Sequence, residues 1–92
     1  MTIIEIGSNI FTKDELFASI SEQVALGQSL YSGWDEFHDT LFGYAQYSSE
    51  FVRIIDRSRI SEQDFKIFAE IISYINEDLG VEKLQLRRCS DV

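Results

Sequence analysis

Three short runs rich in β-branched and aliphatic residues punctuate this chain: Thr2–Ile6 (TIIEI), Phe51–Asp56 (FVRIID) and Leu84–Arg88 (LQLRR). The stretches between them carry helical periodicity. This alternation limits the fold more than any other feature. Strands separated by helical crossovers pair in parallel, because a tight turn cannot join parallel neighbours. The predicted order is β-α-α-β-α-β, an α/β fold with a three-stranded parallel sheet covered by helices. FVRIID alternates only in part, as a central strand covered on both faces does. At 92 residues, with no linker, repeat or low-complexity tract, one domain spanning residues 1–92 is expected.

The helix limits follow from punctuation. Thr12 with Glu15 three residues on forms a capping box, opening a helix that carries Leu16, Phe17, Ile20 and Val24 on one face. That helix is predicted to run to about Leu26, with Gly27 as its C′ stop. Ser32 is the expected cap of a second helix over about Gly33 to Gln46, placing Asp35 at N3, where a carboxylate suits the helix dipole. Ser61 with Asp64 opens a third, which carries Phe65, Phe68, Ile71, Ile72, Ile75 and Leu79 and stops at Gly80.

Net charge is −8, and it is unevenly placed. Between Lys13 and Arg53 there is no basic residue, while Asp14, Glu15, Glu22, Asp35, Glu36, Asp39 and Glu50 lie in that interval. An acidic surface commonly serves only solubility. Concentration into one stretch instead focuses a negative field able to steer a basic partner, and it argues against nucleic-acid binding, which needs the opposite sign. No apolar run is long enough to span a membrane, and Glu5 interrupts the only early apolar stretch, so no signal peptide is expected. The single Cys89 has no internal disulfide partner, which fits a reducing cytoplasm; no role for it is evident.

The second helix concentrates the unusual residues. Trp34, Phe37, His38, Leu41 and Ala45 make its apolar stripe, and Asp35 and Asp39 stand one turn apart at the stripe's solvent edge. Like charges at i, i+4 cost a helix a few tenths of a kcal/mol. No nearby base relieves this pair, so it is expected to serve a cationic partner. Asp35 also suits a helix start; Asp39, in the interior, has no such structural excuse. Phe37 and Leu41 read as core. Trp34 reads first as a half-buried anchor, His38 equally as packing or contact, and Glu36 as solvated. Tyr44, Tyr47 and Phe42 exceed what packing a short helix requires, and Tyr44 and Phe42 are candidate interface neighbours. Arg87 and Arg88 read as charges that blunt a sheet edge.

Catalytic signatures are missing. No G-x-S-x-G, H-E-x-x-H, Cys/His cluster, EF-hand loop or phosphate loop occurs. Asp35, Glu36 and Asp39 on a small exposed helix are a poor acid/base or metal site. No enzyme activity, cofactor or metal is expected.

The element order and the stretch Trp34-Asp35-Glu36-Phe37-His38-Asp39-Thr40-Leu41 resemble the barstar family of intracellular ribonuclease inhibitors. The family signature runs Asn, Trp or Leu, Asp, Ala, Leu, Trp, Asp, Cys, Leu. Both acids, the Trp/Leu position and the final Leu match, and Gly43-Tyr44 parallels a family Gly-Trp pair. The resemblance implies that Asp35 and Asp39 occupy a nuclease's phosphate-binding site, where charge-assisted bonds to Arg fix register as well as add energy. It further implies contact roles for His38, Tyr31, Gly33 and Gly43, and for an acid near the end of the last helix, Asp78 or Glu77; Trp34, Phe42 and Tyr44 join them as candidate contacts on their own residues. Three departures fall at contact positions. His38 stands where the family has Trp, Gly33 stands where it has Asn, and Tyr31-Ser32-Gly33 replaces a Tyr-Gly pair. They point to a nuclease different from the family's best-known partner. The expected activity is that of an immunity protein or antitoxin: a cytoplasmic monomer that blocks a basic toxin nuclease domain in a 1:1 heterodimer, without nucleic acid or membrane. The alternatives are an immunity protein for another toxin class, a protein-binding adaptor that shares the fold without inhibiting a nuclease, and a small metal-dependent enzyme, which a metal-induced rise in melting temperature would reveal.

Overall fold

The computed structural model describes residues 1–28 and 30–89. In chain order the elements are β1 (Thr2–Ile6), α1 (Lys13–Gln23), α2 (Trp34–Tyr47), β2 (Val52–Asp56), α3 (Glu62–Leu79) and β3 (Leu84–Arg88). The strands form one parallel sheet in the order β1-β2-β3. Thr2, Ile4 and Ile6 lie opposite Val52, Ile54 and Asp56, which lie opposite Leu84, Leu86 and Arg88.

Register and pleat explain the burial. Ile4, Ile6, Val52, Ile54 and Leu84 share one face and are buried. Ile3, Glu5, Arg53 and Arg87 alternate onto the other face and are exposed. The helices therefore cover one face only, which corrects the expectation that β2 is covered on both. The physical reason is the strand order. With two crossovers of the usual hand and no reversal of direction, every connecting helix returns over the same side. The incomplete alternation of FVRIID comes from Ile55, half-buried on the open face, and from Phe51, which precedes the strand and is exposed.

Three local features differ from the sequence expectations in their detail. The α1 capping box forms as predicted, with Thr12 Oγ1 accepting from Glu15 N–H and Glu15 accepting from Thr12 N–H. The helix nevertheless ends at Gln23, not Leu26, and its C-cap Val24 is extended. Gln23 explains the stop. Its side-chain amide donates to Glu5 O at 2.7 Å and accepts from Glu5 N–H at 2.9 Å, so it pairs with the outer edge of β1 as a neighbouring strand does. Val24 then turns inward to be buried, and Gly27 at φ 89° sits in the following loop rather than at C′. Ser32 does not cap α2. Gly33 is the N-cap and offers no side chain, Asp35 falls at N2, and Glu36 Oε1 accepts from Ser32 N–H and from Gln28 Nε2. Glu36, read from sequence as simply solvated, thus ties down the loop entering α2. At α3 the expected ends form, with Ser61 capping Asp64 N–H and Gly80 closing the helix in the left-handed region at φ 74°.

The buried residues form one cluster, and its centre is aromatic. Phe17 of α1 stacks on Phe37 of α2 with ring centroids 4.4 Å apart. Trp34 meets Phe17 edge-on at 5.0 Å, and Phe68 of α3 lies against both Trp34 and Phe37. Tyr31 closes the cluster from the loop, edge-on to Phe17 and Phe37. Its hydroxyl donates to Gln28 O and lies 3.1 Å from Ser21 Oγ, so the polar tip of a half-buried ring is satisfied.

Candidate functional site

The cluster fixes how α2 is rotated. Phe37, Leu41 and Ala45 are fully buried, so the opposite side of the helix faces out. Asp35, Asp39 and Gly43 fall at i, i+4 and i+8 on that outer side. Asp35 and Asp39 are exposed, and among the described residues neither makes a hydrogen bond or an ion pair.

The other acids of the basic-free stretch divide into two groups. Glu15 serves the α1 cap, and Glu36 ties the loop before α2. Glu50 pairs with the Met1 ammonium at 2.8 Å and accepts from the Thr2 hydroxyl. Hydrogen bonding to that ammonium, then to Thr2, holds the Glu50 carboxyl below its ordinary range. Asp14 and Glu22 sit on exposed turns of α1. Asp35 and Asp39 are the two acids of this stretch presented together on one helix face with no bonded partner among the described residues, Asp35 serving within the chain only as an acid in the first turn of α2.

Against Asp39 lies an open groove of about 690 Å³ between α2 and the loop after α1. Ala25 and Leu26 form one wall; Asp39, Gly43, Tyr44 and Tyr47 form the other. Tyr47 is 86% exposed and Tyr44 half-buried, so the groove offers two phenol rings next to a carboxylate. Gly43 is its flat spot: a Cβ built there meets no atom within 4 Å. Packing therefore does not demand a glycine. Glycine inside a helix costs about 0.5–1 kcal/mol against alanine. Asp39 and Gly43 are both unfavourable choices for the isolated helix, one turn apart, and both face this groove.

The remaining sequence candidates are placed as follows. Trp34 is half-buried in the aromatic cluster, an anchor as its first reading had it. Tyr31 is half-buried and tied by its hydroxyl, so it orients the loop before α2. Gly33 caps that helix. His38 and Phe42 are half-buried on the flank of α2 next to Asp35 and Asp39, and Phe42 packs against the core. The structure thus gathers Asp39, Gly43 and Tyr44 into one groove; Asp35 lies one turn before Asp39 on the outer face, and His38 and Phe42 fall on the flank of α2 away from the groove. Glu77 instead lines a separate depression at the end of α3 with Gly80 and Glu82, and Asp78 is exposed on the same turn.

Sequence reasoning singled out Tyr47 only as an aromatic beyond packing needs, and it missed Ala25, Leu26, Thr40, Ser48 and Ser49, which complete the groove. The wall exists because α1 stops at Gln23 and leaves Ala25 and Leu26 in the loop that follows, where Leu26 N–H donates to Val24 O at 2.9 Å. Helical periodicity carries no sign of that stop. Among the described residues no group of three His, Cys, Asp or Glu side chains is placed to hold a metal, and no helix is long and apolar enough to cross a membrane. No protein-family model, curated protein or solved structure matches the chain.

Proposed function

We propose that this chain is an immunity protein or antitoxin that binds a basic bacterial toxin, a ribonuclease being the partner class implied by the resemblance to the barstar family. The outer face of α2 and the loop before it lie over the toxin's active site. The observation that carries this reading is the pair Asp39 and Gly43, two residues unfavourable for the helix itself, open to solvent and lining one groove beside Asp35. A basic active site supplies what this face lacks. Its Arg and Lys side chains meet Asp35 and Asp39, and an aromatic or aliphatic side chain enters between Tyr44 and Tyr47 over the flat surface at Gly43. Arg–carboxylate pairs desolvated in such an interface are strong only when both partners are present, since removing one costs about 3–5 kcal/mol. Inhibition is by occlusion, without turnover, in a 1:1 complex formed in the cytoplasm of the producing cell.

The test is inhibition of the toxic nuclease domain encoded beside this gene, comparing wild type with an Asp35→Ala/Asp39→Ala variant. Strong inhibition that the double variant loses supports the reading. Inhibition that survives the double change retains the immunity function but moves the interface off α2. No inhibition by wild type overturns the immunity reading and leaves a protein-binding adaptor as its replacement.

A further inference from the structure

The opposite charge collects at the other end of the sheet. Tyr47 and Ser48 lead into β2, so the acidic groove opens near the amino ends of the strands. At the carboxyl ends, a crevice of about 350 Å³ is lined by Ser8, Arg57, Ser58, Arg59, Arg88 and Cys89, among others. Three of the eight basic residues of a chain with net charge −8 thus line one small space. Among the described residues none of the three pairs with a carboxylate.

The fold builds this crevice rather than leaving it to chance. Arg57 N–H donates to Ile6 O at 2.8 Å, Arg59 N–H to Ile10 O at 2.7 Å, and Cys89 N–H to Asp56 O at 2.8 Å. These bonds lash together the chain segments leaving β1, β2 and β3. Two of the arginines are also held along their length. The Arg88 guanidinium lies 4.4 Å from the Phe65 ring centre and donates to Ile60 O, and that of Arg59 lies 5.8 Å from the Phe11 ring centre. Side chains so restrained lose less freedom when a ligand binds.

Ser58 supplies the second observation. It is 7% exposed and lines the crevice, yet its Oγ has no hydrogen-bond partner among the described residues. Buried hydroxyls are almost always partnered. Its backbone N–H donates to Asp56 Oδ1 at 2.8 Å, which fixes the turn at the crevice wall. Asp56 itself is fully buried and does not line the crevice.

We propose that the crevice formed by Ser8, Arg57, Ser58, Arg59 and Arg88 binds a phosphate-class oxyanion, either inorganic phosphate or the terminal phosphate of a small monoester. Guanidinium groups brought together from the loop after β2 and from β3 call for an acceptor with at least three oxygens and more than one negative charge. A carboxylate has too few of both, whereas phosphate matches the planar donor fork of Arg. The carboxyl ends of parallel strands are also where open α/β sheets place ligands. The site is too small and the rest of the surface too acidic for a nucleic-acid strand.

The test uses the intact chain with inorganic phosphate and, separately, methyl phosphate, each against chloride at equal ionic strength. In two-dimensional NMR, low-millimolar phosphate is expected to move the amide signals of Ser8, Ser58, Arg59 and Cys89 with a saturable midpoint. The melting temperature should rise by at least about 4 °C near saturation. Cys89, the chain's one cysteine, lines the crevice, so its alkylation by iodoacetamide should slow as the site fills. A response to both anions assigns the site to a terminal monoester; a response to inorganic phosphate alone assigns it to the free ion. In an Arg57→Gln/Arg59→Gln variant the saturable shifts should vanish. The general stabilisation that excluded phosphate confers on any protein should persist. Equal melting shifts in wild type and variant, or amide shifts that scatter over the surface without saturating, overturn the proposal. The wild-type NMR titration decides the question even if the variant does not fold.

Discussion

Replacing Asp39 and Gly43 with alanine should make the free protein more stable while weakening its grip on a basic partner. Asp39 lies inside α2, one turn after Asp35, exposed and without an internal partner. Its removal relieves a like-charge contact of about 0.2–0.5 kcal/mol. It also replaces a poor helix former by the best, a gain of about 0.5 kcal/mol. At Gly43 a new methyl group meets no atom within 4 Å, so only the helix gain of about 0.5–1 kcal/mol operates. The sum is about 1.2–2 kcal/mol. For a domain of this size that raises the melting temperature by roughly 5–16 °C. Asp35→Ala serves as the internal control. It loses a favourable acid near the helix N-terminus, worth about 0.3–1 kcal/mol, and gains the same relief of repulsion, so its net effect is close to zero. Urea unfolding of the free single and double variants, beside the toxin-inhibition assay, measures both sides. A midpoint lowered by either Asp39→Ala or Gly43→Ala would refute the reasoning, because that residue would then do structural work within the chain.

Three further outcomes follow from the same structure. Phe37→Ala empties the fully buried centre of the aromatic cluster and should cost about 3–5 kcal/mol, a large share of the roughly 5–14 kcal/mol expected of a 92-residue domain; circular dichroism would show cooperative unfolding shifted strongly to lower urea. Glu50 has its pKa lowered by the Met1 ammonium and Thr2, so its contribution is present above the unfolded-state pKa and disappears as pH falls through the native value. Glu50→Gln should therefore lose less stability than wild type on acidification below the ordinary carboxylate range, as compared by urea midpoints at neutral and acid pH. Stopped-flow association with the cognate toxin should slow clearly between low and physiological salt, because the basic-free stretch steers encounter through a screened field; equal rates at both would count against steering.

Much of this architecture was legible in the sequence because it rests on local chemistry. Thr12 with Glu15, Ser61 with Asp64, and Gly80 mark helix ends through bonds that span three or four residues, and those ends form where they were expected. The three strand runs and the spacing of Phe37, Leu41 and Ala45 likewise fix element type and buried face by period alone. The pair Asp35 and Asp39 was visible as an unrelieved like charge, a property of i, i+4 geometry.

The groove was not legible, since it depends on partners distant in sequence. Gln23 ends α1 by pairing with Glu5, eighteen residues earlier, and that stop frees Ala25 and Leu26 to face Asp39, Gly43 and Tyr47. Glu36 reads as a solvated acid until the loop folds back to bring Gln28 and Ser32 to it. The open face of the sheet follows from strand order, and the arginine crevice from register, which sets Ile6, Asp56 and Arg88 side by side. The sequence by itself determined which segments are helix or strand and where negative charge gathers, because those are sums over neighbours along the chain. Only the tertiary structure decided which side chains share a cavity, because a cavity is made by elements whose contact the chain's own periodicity does not encode.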